Sequence, residues 1–306
     1  MGRSSGLSGR ALFAVVLWGV SFVLTREALT AFTPFGLVAV RLALGSAMLV
    51  LFAHWGGGRL MPVRSDLPVC LVLGLILAAH FLIQAHGLQH TSAIHTAWII
   101  GAIPIPLAVG AHLLGQQRMV RSGWIGLVIG LAGVFIVTGS AMPDFENARW
   151  GDGLQLVSCL TWTVYTLAGT GPVGRSGPLA VTTLAMIVAA AVVALAGPMA
   201  GIWVGPASSS ALIATAVLGV LCSGLAMFLW FSALDTHGPA RIGVLLFLEP
   251  LVTVIAAVLI GDERVTVGVC AGGLFILVGA WQASRKTSLP PPSLDALAGP
   301  ADKGGR

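Results

Sequence analysis

Charge is scarce in this sequence: Asp, Glu, Lys and Arg make up 9% of 306 residues, against 57% hydrophobic residues. An average soluble domain carries about 25% charged residues. A water-soluble fold of this composition could not cover its surface, so that class is excluded. No lysine lies in any long apolar run. A carrier of phosphorylated sugars or nucleotide-sugars needs cationic clamps for phosphate, and that reading is disfavoured. No glycine-rich P-loop is present, so the chain does not hydrolyse ATP itself and must draw on a gradient or on passive exchange. The four cysteines, Cys70, Cys159, Cys222 and Cys270, sit inside apolar runs without C-x-x-C spacing. Neither a disulfide framework nor a thiolate metal site is indicated. The pI is near 9.6, but the bases are scattered singly rather than clustered with aromatics, so nucleic acid is not expected as a partner.

What the sequence has in abundance is apolar windows long enough to cross a bilayer. About 30 Å of hydrocarbon takes about 20 helical residues, because no water is available there to satisfy an open backbone. Such windows fall at 10–30, 35–55, 67–87, 93–114, 122–140, 153–170, 178–198, 210–233, 241–260 and 266–284. Arg3 and Arg10 ahead of the first resemble a signal peptide, but no small-x-small cleavage site follows, and the segment has a repeat partner. It is read as helix 1. Alternating sides from a cytoplasmic N-terminus puts twelve of the sixteen bases inside, including Arg10, Arg64, Arg121, Arg175 and Arg241. Arg26, Arg149 and Arg264 fall outside, and Arg41 within a helix, which satisfies the positive-inside rule. Both termini are then cytoplasmic.

The two halves repeat each other. Trp18 aligns with Trp162 and Pro34 with Pro178 at a spacing of 144. Pro104 aligns with Pro250, Gly115 with Gly261, Arg118 with Arg264 and Gly126 with Gly272 at 146. An odd number of spans per half inverts the second half. The predicted fold class is therefore all-α integral membrane, with ten transmembrane helices as two inverted five-helix repeats around a central cavity. Residues 1–140 form the first half and 150–285 the second; residues 286–306, with the Pro290-Pro291-Pro292 run, form a disordered cytoplasmic tail.

Trp18-Gly19-Val20-Ser21-Phe22, Arg41, Glu249-Pro250 and Gly261-Asp262-Glu263-Arg264-Val265-Thr266 occur in that order. Over residues 10–285 the chain resembles the EamA branch of the drug/metabolite transporter superfamily. The resemblance implies a ten-helix carrier, many of whose relatives export amino acids and other metabolites across the inner membrane. It also implies a cavity lined by helices 1, 3, 4, 6, 8 and 9, with helices 5 and 10 at the side. The chain departs from the family pattern at Gln117, where an acid is frequent, and its first half has Ile103-Pro104 where the second has Glu249-Pro250.

Two polar and aromatic stripes are candidates for the cavity wall. Trp18, Ser21 and Thr25 share one face of helix 1, and Gln155, Ser158, Trp162 and Tyr165 share one face of helix 6. Each could present aromatic faces for apolar or cationic parts and hydroxyl or amide groups for orientation. Helix packing by small polar residues is the alternative. His80 and Gln84, also four apart, join the candidates. Glu249 lies eight residues beyond Arg241, about 12 Å into the membrane, where a carboxylate faces protein or a wet cavity. Its two readings are proton coupling, or structural service to the helix break at Pro250, paired with the break at Pro104. Arg41 is about 10 Å from the start of helix 2, shallow enough to snorkel outward. It is read as structural, and Arg241 as a topology or gate residue. His86 and His90, with His95 following, have spacing that could hold a metal, but no acid or thiolate accompanies them, so no metal or cofactor is expected. The sequence reads as a secondary transporter with a small-molecule substrate and the lipid bilayer as partners, not an enzyme, and no catalytic residue is assigned. A membrane-embedded metal enzyme and a non-transporting membrane subunit stay open as alternatives.

Overall fold

In hydrocarbon every backbone N–H and C=O must be satisfied within the protein. A computed structural model of the chain meets that demand with helices. It describes residues 9–56, 58–115, 120–139, 145–196, 201–260 and 265–284. Gln117, Arg118, residues 261–264 and the tail 286–306 lie outside the described residues, as does the side chain of Arg241.

The helices are α1 (Gly9–Ala28), α2 (Pro34–Gly56), α3 (Leu67–Leu88), α4 (Ala93–Ile100), α5 (Pro104–Leu113), α6 (Arg121–Gly139), α7 (Phe145–Ser176), α8 (Pro178–Ala196), α9 (Ser209–Val217), α10 (Ala226–His237), α11 (Pro239–Gly243), α12 (Glu249–Ile260) and α13 (Val267–Ser284). A π-helical segment, Leu218–Leu225, joins α9 to α10, and a 3₁₀ turn, Val244–Leu248, joins α11 to α12. Among the described residues six helical stretches are long and apolar enough to cross a membrane, and three shorter apolar helices accompany them.

Local chemistry sets the boundaries. Ser92 and Ser208 cap α4 and α9, accepting from the backbone N–H of His95 and Ala211 respectively. α7 ends at Gly177 and α10 at Gly238, both with φ near +80° (85° and 78°), and proline opens the following helix in each case. A left-handed glycine followed by proline stops one helix and starts the next.

Three windows differ from their expected form. The window at 93–114 is broken at residues 101–103, directly before Pro104, and that at 241–260 is broken directly before Glu249 and Pro250. Each proline opens a helix rather than interrupting one, since its missing N–H costs nothing in a first turn. The window at 153–170 is the middle of a longer helix, α7, whose ends carry the polar residues Arg149, Asp152 and Arg175.

Glycine sets the closest helix contacts. A Cβ at Gly133 of α6 would stand 2.6 Å from the carbonyl oxygen of Gly272, and one at Gly272 of α13 would stand 2.7 Å from that of Gly133. Small residues that bring backbones together are the usual basis of helix association in lipid. The two broken regions also meet: a Cβ at Gly101 would stand 2.5 Å from Cγ of Pro250.

α3 and α7 run side by side and are tied at both ends. At one end Asp66, just before α3, accepts from Nε of Arg175 at 2.9 Å and from the Ser176 hydroxyl at 2.6 Å. At the other, Asp152 of α7 accepts from the Thr91 hydroxyl and lies 3.3 Å from Nδ1 of His95. Both carboxylates are buried.

Candidate functional site

The centre of the molecule is aromatic. Trp18 of α1 meets Trp162 of α7 edge to face, with centroids 5.1 Å apart and planes at 82°. Trp230 of α10 lies 5.3 Å from Trp18, and His80 of α3 lies 5.2 Å from Trp162. The Trp18 indole N–H donates to the Cys222 carbonyl in the π segment at 2.9 Å. The indole N–H of Trp162 is buried without an acceptor among the described residues.

Beside this cluster is a small cavity with an open mouth. Trp18, Ser21 and Phe22 from α1 line it, with Arg41 from α2 and His80, Phe81 and Gln84 from α3. Ile100 and Ile103 come from the first broken region, Trp162 from α7, Met227 from α10, and Leu246 and Glu249 from the second broken region. No described side chain of α6 or α13 reaches the lining.

Each candidate residue from the sequence can now be placed. Trp18, Ser21, His80, Gln84, Trp162 and Glu249 come together around the cavity, although they span both halves of the chain. Thr25, Gln155, Ser158 and Tyr165 are buried but do not line it. The physical reason lies in what covers α7. Its polar face turns toward α3, where the Gln155 amide donates to the Gln84 carbonyl at 3.0 Å and the Ser158 carbonyl lies 3.1 Å from Nδ1 of His80. Tyr165 packs edge to face against Phe231 of α10 at 5.2 Å. Trp162 alone of that stripe reaches the opening. A carbonyl can only accept, so the hydrogen of His80 sits on Nδ1, and Nε2 is left without a protein partner among the described residues.

Arg41 requires a correction. Snorkelling outward was expected from its depth, but the side chain is 3% exposed and turned inward. Its Nε–H donates to Ser223 Oγ at 2.6 Å, and its guanidinium lies 4.3 Å from the centroid of the Phe81 ring. An aromatic face and a hydroxyl inside the protein replace the headgroup region as its surroundings.

Glu249 is 3% exposed and opens α12. Among the described residues neither Glu249 nor Arg41 forms an ion pair. His86 and His90 stand with ring centroids 5.8 Å apart, and the described residues hold no group of three or more potential metal ligands.

Sequence reasoning missed Phe22, Phe81, Ile100, Ile103, Met227 and Leu246 as lining residues, and Ser223 behind Arg41. Ile103 carried a usable signal, since it stands 146 positions before Glu249. The others are apolar or small residues in apolar helices, where composition does not separate a cavity face from a lipid face.

The family profile of EamA-like transporters matches residues 10–139 and 149–285. An uncharacterized transporter of Archaeoglobus fulgidus is 25% identical over 284 residues, 89% of this chain and 95% of that protein. The uncharacterized inner membrane transporter YedA of Escherichia coli K12 is 24% identical, over 84% of this chain and 83% of its own length. The uncharacterized transporter YyaM of Bacillus subtilis is 24% identical, over 90% and 92%. A solved crystal structure superposes with a TM-score of 0.73 at 21% identity, covering 92% of this chain and 97% of the other, which speaks for the fold. With both halves of the chain matched and its relatives aligned over most of their length, this multi-pass membrane protein belongs to the EamA-like transporter family.

Proposed function

We propose that the chain is a ten-span secondary transporter that moves a small amphiphilic metabolite, such as an amino acid, by alternating access through the cavity between its two halves. The observation that carries this reading is the cavity itself, built from α1, α2, α3, α7, α10 and both broken regions. Its wall joins aromatic faces, one cation and one acid, which suits a molecule with an apolar body and charged ends.

The contacts support an inverted repeat of residues 1–140 and 150–285. Trp18 and Trp162, equivalent by sequence, touch each other. Gly133 meets Gly272, and a Cβ at Gly279 would stand 2.5 Å from the Gly126 carbonyl. At a spacing of 146 these two contacts interchange, as a two-fold relation between the halves requires. The distribution of bases favours cytoplasmic termini in an inner membrane and a cytoplasmic tail at 286–306.

Within this reading Trp18, Ser21, His80, Gln84 and Trp162 contact substrate. Gln155, Ser158 and Tyr165 hold α7 and its neighbours in place, and Thr25 extends the α1 face. Glu249 is the proton- or cation-coupling residue, because it is an unpaired acid on the cavity wall. The test is counterflow in proteoliposomes with a panel of amino acids and related metabolites, with and without an imposed pH gradient. Saturable exchange driven by the gradient is expected, and Glu249→Gln removes the response to the gradient while exchange at equal pH persists. No counterflow of any member of the panel defeats the assignment. Gradient-driven transport by Glu249→Gln defeats the coupling role alone.

A further inference from the structure

Arg41 is a buried cation without a counter-ion among the described residues. A guanidinium in that position is costly unless something negative arrives to meet it. Two neighbours already fix its orientation. Nε donates to Ser223 Oγ at 2.6 Å, and the plane rests on Phe81 at 4.3 Å. The two terminal amino groups keep their donors, for which no protein acceptor exists among the described residues. Arg41 belongs to the cavity lining. A role confined to tying α2 to the π segment accounts for the bond through Nε but not for the idle fork.

The π segment brings Ser223 to Arg41. Gly45 of α2 faces Gly219 and Gly224, so that a Cβ at Gly224 would stand 3.2 Å from the Gly45 carbonyl. At that separation a short serine side chain on the π segment meets a guanidinium from α2. A planar fork of donors matches a carboxylate with two parallel hydrogen bonds. One cation and no lysine in the wall fit a carboxylate monoanion better than a phosphate dianion.

We propose that Arg41 selects for a carboxylate in the transported molecule, with Ser223 and Phe81 as positioning residues that aim its donors into the cavity. This rests on the cavity being the substrate site. The test titrates purified protein with leucine, phenylalanine and 3-phenylpropanoate, each against its amide, reading thermal stabilisation in detergent and counterflow in proteoliposomes.

The acids are expected to act at concentrations about tenfold or more below those of the amides, because a site built for a charged partner rejects the neutral analogue. Arg41→Gln should reduce that preference to within about twofold, and Arg41→Lys should keep part of it. Ser223→Ala leaves the charge in place and should weaken the acids about three- to tenfold while keeping their order over the amides.

Equal binding of acid and amide by the unaltered protein overturns the proposal, as does an acid preference that survives Arg41→Gln. Should Arg41→Gln fail to fold, unchanged acid affinity in both Arg41→Lys and Ser223→Ala overturns it equally. If no carboxylate acts but amides or other amines are carried, the transport reading stands and the role of Arg41 falls. If nothing is carried, both fall.

Discussion

Trp18 and Trp162 occupy equivalent positions and touch, yet their polar atoms fare differently. The Trp18 indole N–H has the Cys222 carbonyl as acceptor, whereas that of Trp162 is buried with none among the described residues. Removing a satisfied donor loses a hydrogen bond worth about 1 kcal/mol, and removing an orphaned one relieves a desolvation cost. Trp18→Phe should therefore lower the unfolding midpoint in detergent more than Trp162→Phe, although both delete the same atoms. Equal midpoints would show that the bond to Cys222 contributes nothing. The residue types at these positions were legible from the repeat, but which indole finds an acceptor depends on the π segment, which no local pattern announced.

Helix contacts turn on backbone distance. A side chain at Gly133 would drive into the backbone of α13, since its Cβ would stand 2.6 Å from both the Gly272 carbonyl and the Ile276 nitrogen. Backbone cannot rotate aside as a flexible side chain would. Gly133→Leu should cost about 1–3 kcal/mol or more and be read as loss of the monodisperse species. Gly153, with nothing within 4 Å of a Cβ, is the control. Gly153→Ala in a helix interior should be neutral or add about 0.5–1 kcal/mol. The ties between α3 and α7 carry another prediction. The Arg175 side chain is 58% exposed and that of Asp66 is buried, so removing the arginine strands a buried carboxylate, whereas Asp66→Asn leaves an arginine that water can solvate. Arg175→Ala should lower the melting temperature more than Asp66→Asn, and the reverse order would place the main contribution elsewhere. Asp66 and Asp152 find partners 109 and 57 positions away, which only packing reveals.

For the whole molecule, the proposed arrangement of two inverted five-helix halves requires both termini on one side. Reporter fusions at the C-terminus test this. A fluorescent protein that matures only in the cytoplasm should be bright, and an alkaline phosphatase that folds only outside should be inactive. Fusions in the segment between α6 and α7, after five spans, should give the opposite pattern. Matching signals at the two sites would refute an odd number of spans in the second half. The apolar windows and the bases supply the count and the orientation behind this prediction, because desolvation and the positive-inside bias act on each segment almost independently of its neighbours.

The sequence by itself determined that the chain lives in a membrane, roughly where its apolar helices run, that its halves correspond, and that Trp18, Trp162, His80, Gln84 and Glu249 were worth watching. Periodicity along one helix decides which residues share a face, but not what stands opposite that face. In a chain apolar on every side, hydrophobicity does not say which face meets lipid and which meets protein. The tertiary structure therefore decided that α3 covers Gln155 and Ser158 while Trp162 stays open to the cavity. It likewise turned Arg41 inward to Ser223 and Phe81. A buried polar group takes whatever partner the packed helices bring within about 3 Å, and that distance is a property of the assembled helices.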